Sequence, residues 1–327
     1  MLAAWYDEQG PATDVLQVGE LPDPEPGPGE VRVRLTVSGI SPGDVKKRGT
    51  SFGSQMFAPR VIPHSDGAGV IDAVGAGVDQ ARVGTRVWVY GAQSYRAFGT
   101  AAGATVVPSD LAVDLPDGVD AELAASLGIP GITAHRAVFA DGPVTGRTVL
   151  VAGVLGGVGS LAAQLARWGG ATVLGTVRTA SDLARVDPAV VHAAVALDGA
   201  DPAAAIRSAA PDGVHRIIEV ALSANADLDA AVVANDAVIA AYATVTDRTE
   251  IPFWPLLFAN VTLRLLGSDD FPVEAKQQAA RDLTAAAVDG ALGVARAPLY
   301  PLREIARAHE AVENGSRAGR VLLSIEG

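Results

Sequence analysis

The feature that most constrains this chain is a run of nineteen residues without a charge, Thr148 to Ala166. It is nearly long enough for a membrane span, which needs about 20 apolar residues. Its internal order argues otherwise. A β-branched run, Thr148-Val-Leu-Val151, is followed by Gly153, Gly156, Gly157 and Gly159, and then by an Ala/Leu-rich run to Ala166. That order reads as strand, turn, helix. Such a turn offers a phosphate the free N–H groups and positive dipole end of a helix, and glycines let it come close. Val154 stands where the first glycine of Gly-x-Gly-x-x-Gly belongs, with Gly153 beside it. The turn predicts a dinucleotide pyrophosphate site on Gly156, Gly157, Val158 and Gly159. The competing reading is a tight strand–helix connection without a ligand. A Walker-type loop fails, because Gly142-Pro-Val-Thr-Gly-Arg-Thr148 has the wrong spacing and precedes the strand.

What surrounds the turn favours a ligand. Strands are expected at Thr148–Val151, Thr172–Gly175, Ala194–Ala196, Arg216–Val220, Ala237–Ala241 and Thr262–Leu266. Helices are expected between them at Gly159–Trp168, Asp201–Ala209, Ala226–Val233 and Phe253–Ala259. This alternation predicts a doubly wound parallel sheet with helices on both faces. The first third differs. Val31, Val33, Leu35 and Val37 alternate with polar residues, and short β-like runs follow at Gly69–Val74, Arg86–Tyr90 and Thr105–Val107. Closely spaced strands predict a barrel-like all-β unit. Helices at Ala121–Leu127 and Ile132–Val138 lead into the alternating region, and a helix at Leu302–Glu313 and a strand at Arg320–Ile325 close the chain.

At 327 residues two domains are expected. The net charge of −12 argues against nucleic acid or an anionic membrane as partner, since both are bound by clustered Lys and Arg. With no cysteine, disulfides, thiolate zinc, iron–sulfur clusters and cysteine nucleophiles are all excluded. The N-terminus lacks a basic region followed by an apolar core, so a cytoplasmic location is expected.

The second strand of the alternating region bears on the cofactor. An NAD site places an acidic residue about 20 positions after the glycines. Here the strand runs Leu174-Gly-Thr-Val-Arg-Thr179, so the acid's place near Val177 is followed by Arg178. A planar cation suits bidentate phosphate contact. With Thr176, Thr179 and Ser181 nearby, the turn predicts NADPH; a solvated surface arginine is the other reading.

Taken in order, these segments resemble the medium-chain dehydrogenase/reductase superfamily in its zinc-independent quinone-oxidoreductase (zeta-crystallin-like) branch. The likeness spans essentially the whole chain. It rests on Pro24-Glu-Pro-Gly-Pro-Gly-Glu30, Ile62-Pro-His-Ser-Asp-Gly-Ala-Gly69, Val83-Gly-Thr-Arg-Val87, Leu127-Gly-Ile-Pro-Gly-Ile-Thr-Ala134, the glycine turn and Gly319-Arg-Val-Leu-Leu323. The resemblance implies a GroES-like substrate domain over 1–121, a Rossmann NADPH domain inserted over 122–293, and a segment 294–327 completing the first. It also implies an active site in the cleft between the domains, and a homodimer through the Rossmann sheet edge. The zinc members' cysteine position is Ser41, and their Gly-His-Glu segment is His64-Ser65-Asp66, so no metal is expected.

The resemblance further implies that Thr133, Tyr242, Ala243, Gly267 and Ser268 line the nicotinamide and its ribose, and that Ser41, Asp44 and Lys46 lie beside the reacting ring. Arg320, where relatives often carry lysine, is assigned to the cofactor side. The chain departs from the Asn-Pro-x-Asp-x-Tyr of relatives, having Ser41-Pro-Gly-Asp-Val-Lys46. Lys46 either stabilises an oxyanion or pairs with Asp44. Met56, Phe57, Tyr90, Tyr95, Arg96 and Phe98, with Trp254 and Phe258, are candidates for a pocket around a planar acceptor. The expected activity is hydride transfer from NADPH to a small electrophile, a quinone or conjugated enone. An enoyl-thioester or tailoring reductase and a non-catalytic NADPH-binding sensor remain as alternatives.

Overall fold

The computed structural model describes residues 1–51, 54–315 and 319–325. A hairpin, β1 (Leu2–Trp5) with β2 (Gln17–Glu20), opens the chain around the one-turn helix α1 (Ala12–Val15). Strand β3 (Glu30–Gly39) follows, and its alternation works as the sequence predicts. Val31, Val33, Leu35 and Val37 are buried. On the other face Arg32 and Arg34 clasp Asp72 at 2.8 and 2.6 Å.

After the helix α2 (Pro42–Arg48) come β4 (Asp66–Val74), β5 (Arg86–Val89), β6 (Ala104–Pro108) and β7 (Ala112–Asp114). Strand β4 pairs antiparallel with both β3 and β5, β5 with β7, and β6 with the start of β3. The short helix α3 (Ala121–Ala124) leads to α4 (Ile129–Phe139).

The second unit spans Gly131–Gly293. Its strands are β8 (Thr148–Val151), β9 (Thr172–Val177), β10 (Ala193–Ala196), β11 (Val214–Glu219), β12 (Val233–Ala241) and β13 (Thr262–Leu265). The helices between and after them are α5 (Gly157–Trp168), α6 (Pro202–Ala209), α7 (Leu222–Val232), α8 (Phe253–Phe258) and α9 (Val273–Val288). All six strands run parallel in the order β10-β9-β8-β11-β12-β13. This is a Rossmann-like sheet whose order reverses between β8 and β11, the point where such sheets bind ligands. Helix α5 buries one stripe, Leu161, Ala162, Leu165 and Ala166.

The chain then returns to the first unit as β14 (Arg296–Pro301), α10 (Ile305–Glu313) and β15 (Arg320–Ser324). That unit comprises Met1–Pro130 and Val294–Gly327. Strand β15 pairs with β3 and completes the β-rich, GroES-like sheet β14-β15-β3-β4-β5-β7. Residues 122–130, assigned from sequence to the Rossmann part, pack with the first unit instead. The reason is local: the Asp66 carboxylate accepts the Ile129 N–H at 2.7 Å. Among the described residues no helix is long and apolar enough to cross a membrane. The uncharged run Thr148 to Ala166 divides into β8, the glycine turn and α5.

Candidate active site

The glycine turn follows β8. Gly153 has φ +65°, a conformation in which a side chain is strained. A Cβ on Gly159 would lie 2.4 Å from the Gly153 carbonyl oxygen, so that glycine is fixed by the turn itself. Gly156 and Gly157 are different. Both are exposed, and a Cβ on Gly157 would meet nothing within 4 Å. Internal packing does not require Gly157. A ligand lying on the first turn of α5 would, because a side chain there would occupy its place. The first-turn N–H groups of Gly157, Val158 and Gly159 lack intrahelical partners, as in any helix. Val154, in the place of the missing glycine, packs over Gly175 of β9, which leaves it room.

Five of the residues expected around a dinucleotide follow parallel strands at their carboxyl ends. Arg178 follows β9, Tyr242 and Ala243 follow β12, and Gly267 and Ser268 follow β13. Arg178 is exposed. Asp182, four residues on, is already held by Arg185 at 2.7 Å and by the Thr179 hydroxyl at 3.0 Å. Thr176 is buried, and its Oγ1 accepts the Gly153 N–H at 3.2 Å, so it shapes the turn. Thr133 is buried on α4. Tyr242 donates its N–H to the Glu219 carbonyl at 3.0 Å, and burial raises its phenol well above the usual value.

Sequence reasoning missed Glu219 and Asp229, both buried beneath this edge. Glu219 accepts hydrogen bonds from the Ala221 N–H and, at 3.0 Å, from Asn225. Burial, with Glu219 nearby, pushes Asp229 up to about 8. Burial raises Glu219 as well, against the hydrogen bonds from Ala221 and Asn225.

In the first unit, Ser41 begins α2 in a capping box with Asp44, whose carboxylate accepts the Ser41 N–H at 2.7 Å. Ser41 Oγ lies 3.2 Å from the Arg320 guanidinium and 3.5 Å from Asp66. Arg320 and Asp66 form a buried ion pair at 2.5 Å. Arg320, expected beside the cofactor, is thus engaged on Asp66 and Ser41. Burial raises Asp44 to about 7, with Asp66 adding to the shift while the Ser41 N–H, Lys47 and Arg320 oppose it. Burial also raises Asp66, to about 6, against the pull of Arg320 and the Ile129 N–H. Two carboxyls face one buried guanidinium, so Asp66 is the ionised partner at neutral pH and Asp44 is poised to hold a proton. Lys47 of α2 is one of the cations bearing on Asp44.

The aromatic candidates separate into two groups. Tyr90 is buried against Trp88, and Met56 packs on the Tyr6, Val15 and Val61 cluster. Arg96 is engaged by Glu30 and the Val106 carbonyl. Phe57, Tyr95 and Phe98 are exposed, with the Phe57 and Tyr95 rings 6.3 Å apart. In the second unit Trp254 and Phe258 stack on α8.

Known proteins resemble this chain along most of its length. The family profile of the alcohol dehydrogenase GroES-like domain matches residues 27–117. Over 325 residues the chain is 30% identical to a quinone oxidoreductase of Pongo abelii, covering 97% of this chain and 95% of that protein. Among solved structures, a mycobacterial protein complexed with NADPH matches with a TM-score of 0.84 at 27% identity, over 99% of this chain and 100% of the other. A mycobacterial quinone oxidoreductase matches over the same shares with a TM-score of 0.86 at 28% identity.

Proposed function

The chain belongs to the quinone oxidoreductase branch of the medium-chain dehydrogenase/reductase superfamily, and from that premise we propose that it uses NADPH to reduce a quinone or small conjugated enone. The observation that carries this reading is the open first turn of α5, where Gly157 has no packing reason to be glycine. The pyrophosphate lies on the N–H groups of Gly157, Val158 and Gly159, beside Gly156. Arg178 takes the 2′-phosphate. Thr133, Tyr242, Ala243, Gly267 and Ser268 hold the ribose and nicotinamide. Bound NADPH supplies a hydride from the nicotinamide ring.

Ser41, Asp44 and Lys46 form the acceptor side, with Arg320 and Asp66 fixing Ser41. Ser41 and Ser65 put hydroxyls where zinc members carry cysteine and histidine, which does not suit zinc. Among the described residues no group of three or more His, Asp or Glu is arranged to hold one. Catalysis then rests on orientation, which by itself lowers a barrier substantially. A reduced quinone's oxygens are protonated by solvent or by a weak donor such as Asp44. Purified protein should oxidise NADPH rapidly with 1,4-quinones or enones and only slowly without an acceptor. Saturable NADPH binding without turnover on any acceptor would overturn the assignment and favour a sensor.

The same unit also supports a homodimer. Strand β13 is the sheet edge, and Leu265 on it is 72% exposed. Phe253, Trp254 and Phe258 of α8 add an exposed apolar surface, with Phe258 74% exposed. An uncovered edge beside such a patch is an aggregation hazard, and pairing with a second copy across a two-fold axis removes it. Sedimentation should show a dimer that Leu265→Lys dissociates; a monomeric wild type would contradict this.

A further inference from the structure

His64 is fully buried and has φ +76°, a conformation costly for a residue other than glycine. What holds it there is a continuous line of polar groups. Arg48 Nε donates to His309 Nδ1 at 3.3 Å. The two histidines meet nitrogen to nitrogen, Nε2 to Nε2 at 2.9 Å, with ring planes 24° apart. His64 Nδ1 lies 2.9 Å from Ser38 Oγ, which lies 2.8 Å from Thr100 Oγ1. Thr100 donates to the Asp66 backbone carbonyl at 2.6 Å.

The direction of every proton follows from the two ends. A guanidinium only donates and a carbonyl only accepts. His309 Nδ1 must therefore present a lone pair, so its proton sits on Nε2 and points at His64 Nε2. His64 Nε2 accepts, so its proton sits on Nδ1 and points at Ser38. Ser38 then donates to Thr100, and Thr100 to Asp66. Reading back from the carbonyl gives the same assignment. A proton added to either ring would set two donors nose to nose.

We propose that His64 is a positioning residue: with His309 it forms a neutral histidine pair of fixed, opposite tautomers that holds the Asp66 backbone, and through it the Asp66–Arg320–Ser41 cluster. That this cluster serves the acceptor rests on the functional reading above; the tautomers do not. The charged groups around the pair are Arg48 from α2, itself paired with Glu313 of α10, Asp66 on β4, and Arg320 from β15. Burial, the facing ring and Arg320 hold His64 well below its usual range, and burial with Arg48 pushes His309 down to about 3. Both rings bind fewer protons folded than unfolded once the pH drops below about 6.5. Their contribution to stability is thus present at neutral pH and lost on acidification.

The test is 15N spectroscopy of histidine-labelled full-length protein. There are five histidines in the chain. The signals are assigned through His64→Asn and His309→Gln. His64 should appear as the Nδ1–H tautomer and His309 as the Nε2–H tautomer, both unchanged from about pH 8 to about pH 5.5, where ordinary histidines titrate. The opposite tautomer at either ring, or a midpoint near 6.5, would overturn the proposal. Glutamine can accept from Arg48 and donate to His64, whereas leucine can do neither. His309→Gln should keep the His64 tautomer and acceptor turnover. His309→Leu should let His64 titrate and lower kcat roughly tenfold at unchanged NADPH affinity. Equal pH profiles for leucine and wild type would sink the positioning role. If no acceptor is ever turned over, the tautomer result still stands, so the two readings fail separately.

Discussion

The glycine turn after β8 and the Ser41–Asp66–Arg320 cluster solve opposite problems. The turn is made of backbone and left open: Gly153 and Gly159 are fixed by its own geometry, while Gly157 faces empty space. The cluster is made of side chains and closed. Each Asp66 oxygen has a partner, in Ile129 N–H, Arg320 and Thr100. Gly128 is held to glycine, because its Cβ would sit 2.1 Å from the Asp66 carboxylate. The site proposed for the pyrophosphate is built from N–H groups that move with a helix. A site beside a buried charge needs partners brought from four parts of the chain, and losing any one leaves the others exposed to the cost of burial.

The largest effect should come from breaking the closed region. Arg320→Met leaves Asp66 buried without its cation and should cost about 3 kcal/mol of stability at neutral pH. Because the stranded carboxyl then binds a proton more readily folded than unfolded, that loss should shrink as the pH falls toward 4. Adding Asp66→Asn should recover much of it. Chemical denaturation at two pH values measures this, and a loss independent of pH would contradict the ion-pair account.

Smaller effects should separate the two kinds of glycine in the open region. Gly159→Ala drives a methyl against the Gly153 carbonyl and should cost about 1–3 kcal/mol as well as cofactor affinity. Gly157→Ala enters open space. Its stability should stay at or slightly above wild type, since alanine is the better helix former, while NADPH affinity falls roughly tenfold. Thermal melts with and without NADPH distinguish the two. Unchanged affinity in Gly157→Ala would remove the ligand's claim on that residue.

The same contrast explains what was legible in the sequence. Strands β8 to β13 could be located because β-branched runs alternate with helical stretches, and the turn because three glycines lie within four residues. Helix α9 was missed because its buried face is largely alanine, Ala279, Ala280, Ala286 and Ala287 around Leu283, which leaves no stripe of large side chains. Helix α2 was hidden by Ser41-Pro-Gly-Asp44, which reads as a turn but serves as its start. Individual cluster residues could be named from the family pattern, yet their partners could not. His64 and His309 are 245 positions apart, and no local pattern joins them. The contacts of Arg320 with Asp66 and Ser41 were hidden for the same reason, since they join residues 254 and 279 positions apart.

The central claim is that the open turn and Arg178 together select NADPH. It is tested most directly by titrating NADPH and NADH into wild type and Arg178→Ala. The account predicts tighter NADPH binding in wild type, a loss of roughly tenfold or more for NADPH in the variant, and no change for NADH. An NADPH-to-NADH affinity ratio that Arg178→Ala leaves untouched would contradict it.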